Sequence, residues 1–232
     1  MKNIEEIFSK YGITLSEQQV VQFDKYFNHL VETNKVMNLT AITEEKEVLF
    51  KHFLDSVLPC EVLKQNASMI DVGSGAGFPA IPLKILRPDL KVTMIDSLNK
   101  RVNFLNETTK LLGQKNVIAQ HERAEDFARK NREKFDVATA RAVAELNTLV
   151  EYLLPFVKVG GICVIYKSSK LEEELKNAQK AIKVLGGSVE EIKKYYIEEI
   201  DAERNVLIIK KISKTPLEYP RDKNRPRLKP IK

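Results

Sequence analysis

From about residue 68 onward the chain alternates short apolar runs with helical patterns, and this alternation leaves few folds open. The runs are "SMIDV", "KVTMID", "NVIAQ", "FDVATA" and "GICVIY". Helical patterns lie over 79–87, 98–112, 145–157 and 170–185. Gly113 ends the second of these and Gly186-Gly187 the last. Two further segments, "SVEEIKKYYI" and "RNVLIIKKI", predict a closing antiparallel pair. Strands alternating with helices imply an α/β sandwich around a mostly parallel sheet.

Residues 1–60 read differently, as helices. Ser16 with Gln19 three residues on forms a capping box, and Leu15 with Val20 could staple it. Val20, Phe23, Phe27, Leu30 and Val31 then recur at helical spacing. A further helix fits 44–58, capped by Thr43. The C-terminal stretch 214–232 holds seven Lys/Arg against two acids, which is +5 of the chain's net +6. It also holds four of the nine prolines, so an extended tail is expected rather than a helix. The expected organisation is a helical extension over 1–60, an α/β domain over 61–213 and a basic tail over 214–232.

Charge and composition narrow the partners. A near-neutral body with a basic tail suits a polyanion such as RNA, or else a solvated tail that only aids solubility. No apolar run approaches the 18 or so residues of a membrane span, and "MKNIEEIFSK" does not read as a signal peptide. Cys60 and Cys163 sit in apolar contexts and read as reduced thiols of a cytoplasmic protein.

The stretch "MIDVGSGAGFPA", residues 69–80, carries the chemistry. In an open α/β sheet ligands bind beyond the carboxyl ends of the strands, and this glycine loop follows the first strand. A phosphate loop would need Lys-Ser/Thr after the glycines, and none follows. A dinucleotide site would need a third glycine where Phe78 stands, so a dehydrogenase is a weak reading. S-adenosylmethionine has no pyrophosphate, and needs only close backbone approach at Gly73 and Gly75 with an acid for its ribose. Asp96 ends the next strand 21 residues after Gly75, where a carboxylate can accept from both ribose hydroxyls. Asp71 either orients the loop or meets the ligand's ammonium through water. In "HERAEDF", residues 121–127, Ala124 with Glu125 or Asp126 stands where an adenine edge would be read. The same segment also reads as an ordinary acidic helix start. Arg141 follows the fourth strand and could hold the ligand's carboxylate or a substrate phosphate. His52, Asp55 and Asn38 either line a target pocket or tie the extension to the sheet.

At these residues the chain resembles the bacterial small-subunit ribosomal RNA guanine-N7 methyltransferases, also called glucose-inhibited division protein B. "NLTAI" (38–42), "KHFLDS" (51–56), "DVGSGAGFP" (71–79), "RAED" (123–126), "ARA" (140–142) and "YPR" (219–221) match that family in order. The resemblance implies a class I S-adenosylmethionine-dependent methyltransferase fold, a Rossmann-like sheet with an N-terminal helical extension and a basic tail. It implies S-adenosylmethionine as methyl donor and one guanine of 16S ribosomal RNA, near the decoding centre, as target. It places cofactor contacts on Gly73, Phe78, Ala124, Glu125 and Arg141. The expected partner is 16S ribosomal RNA or the small subunit, with no metal and no membrane, and the chain is expected to be a monomer. Two positions depart from the family pattern: Ala80 replaces a glycine, and the tail "PRDKNRPRLKP" lacks one. The competing class is a ribosome-assembly factor that keeps a degenerate methyltransferase fold. Guanine N7 carries no proton, so no general base is expected, and His29, His52 and His121 show no catalytic spacing.

Overall fold

The computed structural model describes every residue except Lys2, Ala142, Ser168 to Lys170 and Lys232. Two helices open the chain, α1 (Ile4–Lys10) and α2 (Glu17–Met37). The capping box expected at α2 is present: the Gln19 amide donates to the Ser16 hydroxyl and the Ser16 amide to the Gln19 side chain. Residues 45–57 are helical in three pieces, α3 (Glu45–Val48), a wide π-type segment Leu49–Leu54, and α4 (Asp55–Val57). Glu44, not Thr43, is the N-cap residue here, and no side chain caps the helix.

The alternating region follows as β1 (Ser68–Val72), α5 (Ala80–Leu86), β2 (Lys91–Asp96), α6 (Asn99–Leu111), β3 (Val117–His121) and α7 (Ala124–Lys130). It continues as β4 (Phe135–Arg141), α8 (Leu146–Leu153), β5 (Val157–Lys167), α9 (Leu171–Val184), β6 (Gly187–Ile197) and β7 (Ala202–Lys211). The helical pattern over 145–157 is α8 followed by a 3-10 turn, Leu154–Phe156, and gives way to β5 at Val157. The tail is not wholly extended: one helical turn, α10 (Arg225–Leu228), forms with Pro226 in its first turn, where a missing N–H costs nothing.

The seven strands among the described residues lie in the order β3-β2-β1-β4-β5-β7-β6. The first five are parallel, and β7 runs antiparallel to both its neighbours. The order reverses between β1 and β4, the crevice at which open α/β sheets bind ligands. Side chains along each strand alternate between two apolar layers. Met69, Met94, Val137 and Val164 face one core, which also contains Phe23, Tyr26 and Phe53 of the extension. Ile70, Ile95, Ala138 and Ile165 face the other, with Leu149, Leu153 and Ile182 of α8 and α9. The extension thus buries one face of the sheet directly.

Gly77 lies where the extension packs on the loop, beside Ala76, whose carbonyl accepts from the Tyr26 hydroxyl at 2.5 Å. The φ of Gly77 is +98°, and a Cβ there would stand 2.8 Å from the Tyr26 hydroxyl and 2.5 Å from Ile81 Cδ1. Ala80, the family departure, is the first residue of α5 and is buried there, a position any small helix former occupies. Gly77→Ala is expected to cost about 1–3 kcal/mol of stability, from the left-handed backbone and from the collision. Urea unfolding of the variant beside the parent chain measures this, and equal midpoints would remove Gly77 from that role.

Candidate active site

The loop after β1 turns back over the end of β2. The amides of Gly73 and Ser74 donate to the Ile95 carbonyl at 2.8 and 3.2 Å. The amide of Gly75 donates to Asp96 Oδ2 at 2.9 Å, and the Leu98 amide to Asp96 Oδ1 at 2.9 Å. Arg101 lies 3.5 Å from the same carboxylate. Asp96 therefore holds the glycine loop and the start of α6 together. A carboxylate offers about four lone-pair directions, so it keeps acceptor capacity for a ligand. Gly73 has φ +71°, and a Cβ on it would come within 2.9 Å of Val143, just past β4. Around Gly75, at φ +58°, a Cβ would meet nothing nearer than 3.9 Å, so the outer side of the loop is open.

A cleft of about 190 Å³ lies at this carboxyl edge. Gly73, Asp96, Ala124 and Glu125 line it, brought together from the ends of β1, β2 and β3. Arg123, Tyr152 and Val143 complete the inner wall. A larger cavity of about 540 Å³, around Gly160, Lys158 and Lys64, lies at the opposite, amino edge of the parallel strands. Strand direction favours the smaller one, since loops that follow parallel strands carry the ligand contacts. The α/β domain does not line this cleft alone: Asn224 and Arg227 of the tail, read from the sequence as a segment for RNA or solubility, also stand in its wall. No local signal marks them, because they reach the cleft only through the folding of the tail onto α8.

Of the other four expected site residues, Gly75 stays on the open side of the loop with its amide on Asp96, while Asp71, Phe78 and Arg141 lie behind the cleft. Phe78 is buried, stacked on His52 with centroids 4.3 Å apart and packed against Tyr26 at 5.5 Å. Arg141 stands over the Phe78 ring, its guanidinium carbon 4.9 Å from the centroid. That guanidinium donates to the Lys51 carbonyl and to Asp55 Oδ2, each at 3.0 Å, and to His52 Nδ1 at 2.9 Å. Asp55 also meets Arg204 of β7 at 3.2 Å. With Nδ1 accepting, His52 Nε2 donates to Thr40 at 3.0 Å. Burial, then the Arg141 charge, push the imidazole down to about 3, so it stays neutral. His52 and Asp55 thus tie the extension to the sheet, and Asn38 is the left-handed C-cap of α2.

Asp71 is fully buried on β1, on the extension side of the sheet. The Ser74 hydroxyl donates to its backbone carbonyl at 3.0 Å, while neither carboxylate oxygen has a partner among the described residues. Burial raises this carboxyl to about 7. A folded value above the unfolded one, about 3.9, means the folded state holds a proton that the unfolded state has lost. Its contribution to stability is complete below about pH 4 and is lost as pH rises through about 7. Asp71→Asn should remove that fall. The measurement is the stability difference between parent and variant from pH 4 to 8, and a difference that does not vary with pH would contradict the assignment.

The fold and site match known proteins. The family model GidB, described as rRNA small subunit methyltransferase G, matches residues 19–206. A ribosomal RNA small subunit methyltransferase G from Desulforamulus reducens is 51% identical over 221 residues, covering 94% of this chain and 92% of that protein. One from Alkaliphilus metalliredigens is 51% identical over 225 residues, covering 95% and 94%. Among solved structures, M. jannaschii TYW2 in complex with AdoMet aligns with TM-score 0.57 at 17% identity, over 74% of this chain and 80% of that one, a likeness of fold. The aligned identity runs from the helical extension through the sheet, and on it the chain belongs to the GidB family, rRNA small subunit methyltransferase G.

Proposed function

We propose that the chain transfers the methyl group of S-adenosylmethionine to N7 of one guanine in small-subunit ribosomal RNA. The observation that carries this reading is the cleft at the carboxyl edge of β1, β2 and β3, bounded by a glycine loop and an acid, in a chain of this family. The guanine N7 position follows from the sequence resemblance.

The residues present suit this cofactor. The loop has an open outer side at Gly75 and lacks the third glycine that a pyrophosphate requires. Asp96 offers its remaining lone pairs to the ribose hydroxyls, and Ala124 and Glu125 stand for the adenine. Gly73 lets the backbone come close. Asp71, buried beneath the loop with unpartnered oxygens, is suited to the ammonium end through water. Phe78 and Arg141 support the loop from behind and fix it against the extension.

The cofactor supplies an already activated methyl group. Guanine N7 presents a free lone pair on the major-groove edge and needs no deprotonation. What the chain must contribute is alignment, a factor that can supply up to roughly 7–11 kcal/mol. The buried, neutral His52 and the committed Arg141 agree with a positioning frame and not with a proton relay. The three-part organisation, extension 1–60, methyltransferase domain 61–213 and tail 214–232, belongs to this reading. No helix among the described residues is long and apolar enough to cross a membrane.

Mapping N7-methylguanine in ribosomal RNA from cells with and without the protein tests the function, and an unchanged map would refute it. Calorimetry with S-adenosylmethionine separates an enzyme from a degenerate assembly factor, which should not bind. Asp96→Ala is expected to weaken that binding by about 1–3 kcal/mol while the chain stays folded. For RNA, each tail cation that meets a phosphate should steepen the plot of log K against log salt by about 0.7–0.9. Lys223→Ala with Lys229→Ala tests this, since parallel plots would show that neither lysine touches phosphate.

A further inference from the structure

The tail docks through polar bonds as well as through buried Pro220 and Pro226. Leu217 is 90% exposed and Leu228 71%, while Tyr219 and Ile231 are only partly buried against the second core. The polar bonds come from a set of buried donors and acceptors. Glu151 of α8 is fully buried and takes the Arg221 side chain at 2.9 Å (Nε) and 2.6 Å (Nη2), and the Arg221 amide at 2.8 Å. A buried carboxylate left without such partners would be strongly unfavourable, so the pairing dictates where Arg221 sits. Arg132 donates to the carbonyls of Thr215 and Pro216 at 2.8 and 3.2 Å, and to that of Tyr219. The Thr148 hydroxyl of α8 donates to the Pro226 carbonyl at 3.1 Å.

This anchoring has a geometric consequence. Tyr152, the residue after Glu151 on α8, lines the cleft. Asn224 and Arg227, three and six residues beyond Arg221, line it too. Arg227 shares the wall with Arg123, and neither guanidinium has an ion pair among the described residues. A guanidinium plane stacks on a flat heterocycle and donates in its own plane.

We propose that Glu151 is a positioning residue for the cofactor: by anchoring Arg221 it holds Asn224 and Arg227 as the outer wall of the cleft, against the nucleoside end of S-adenosylmethionine. The proposal rests on the reading of this cleft as the cofactor site. It makes the tail a part of the cofactor site as well as a surface for RNA.

Titrating S-adenosylmethionine into the full chain, Arg227→Ala, Glu151→Gln and the double variant tests it, with thermal unfolding run in parallel. Arg227 is exposed, so Arg227→Ala should keep the parent's unfolding midpoint while cofactor affinity falls roughly three- to tenfold. Glu151→Gln should weaken affinity by a similar factor. The double variant should bind no worse than the weaker single one, because both changes remove the same wall. Unchanged affinity in folded Arg227→Ala would overturn the proposal, as would fully multiplicative losses in the double variant. Should Glu151→Gln not fold, Arg221→Gln takes its place in the cycle. A full chain with no affinity at all would overturn the cofactor reading and this proposal together, whereas a binding parent with unaffected variants overturns this proposal alone.

Discussion

The Arg141 guanidinium is the junction on which the arrangement of this molecule depends. It sits at the end of β4, beside the point where strand order reverses, and reaches the extension through Lys51, His52 and Asp55. The same group covers Phe78 of the glycine loop. Arg204 closes the junction from β7 by sharing Asp55. Three separate stretches of chain therefore meet at one cation, which is only 15% exposed in its side chain. A charge so buried is tolerated because a carboxylate, a carbonyl and an imidazole nitrogen all accept from it. The π-type segment around Lys51 presents that carbonyl, an irregularity of the kind that often marks functional places.

From this junction the rigidity of the cleft follows. The loop 73–79 is fixed on its inner side by Phe78, Tyr26 and His52, and at Gly75 by the amide bond to Asp96 at the end of β2. Methyl transfer to a base needs donor and acceptor held in line more than it needs a proton moved, and a rigid loop on a rigid sheet supplies that. The second core supports the other half of the cleft through α8, which carries both Tyr152 in the wall and Glu151 under the tail. The two faces of the sheet thus support different walls of one cleft.

Much of this was legible in the sequence. The alternation of apolar runs and helical patterns specified the parallel sheet, since a 2-residue and a 3.6-residue period cannot be exchanged. The antiparallel pair at the end, the capping box of α2 and the acid at the end of β2 all stand where the spacing put them. The glycine loop was readable because a left-handed backbone admits few other residues. The helix 44–58 was found, but not its cap at Glu44 or its wide turn, which presents the Lys51 carbonyl to Arg141, 90 residues away.

What the sequence determined alone was local: element type, loop chemistry and the acids at strand ends, each set by bonds among near neighbours. Tertiary structure decided which of the candidates face the cleft and which stand behind it. Gly73, Asp96, Ala124 and Glu125 line it, while Phe78 and Arg141 turn to the extension because their partners come from the helices that cover that face. It also brought the tail to the site. Four prolines and a run of charge read as an extended, solvated segment, and the buried Glu151, on a helix 70 residues upstream of Arg221, holds that segment at the wall of the cleft together with Arg132 and Thr148.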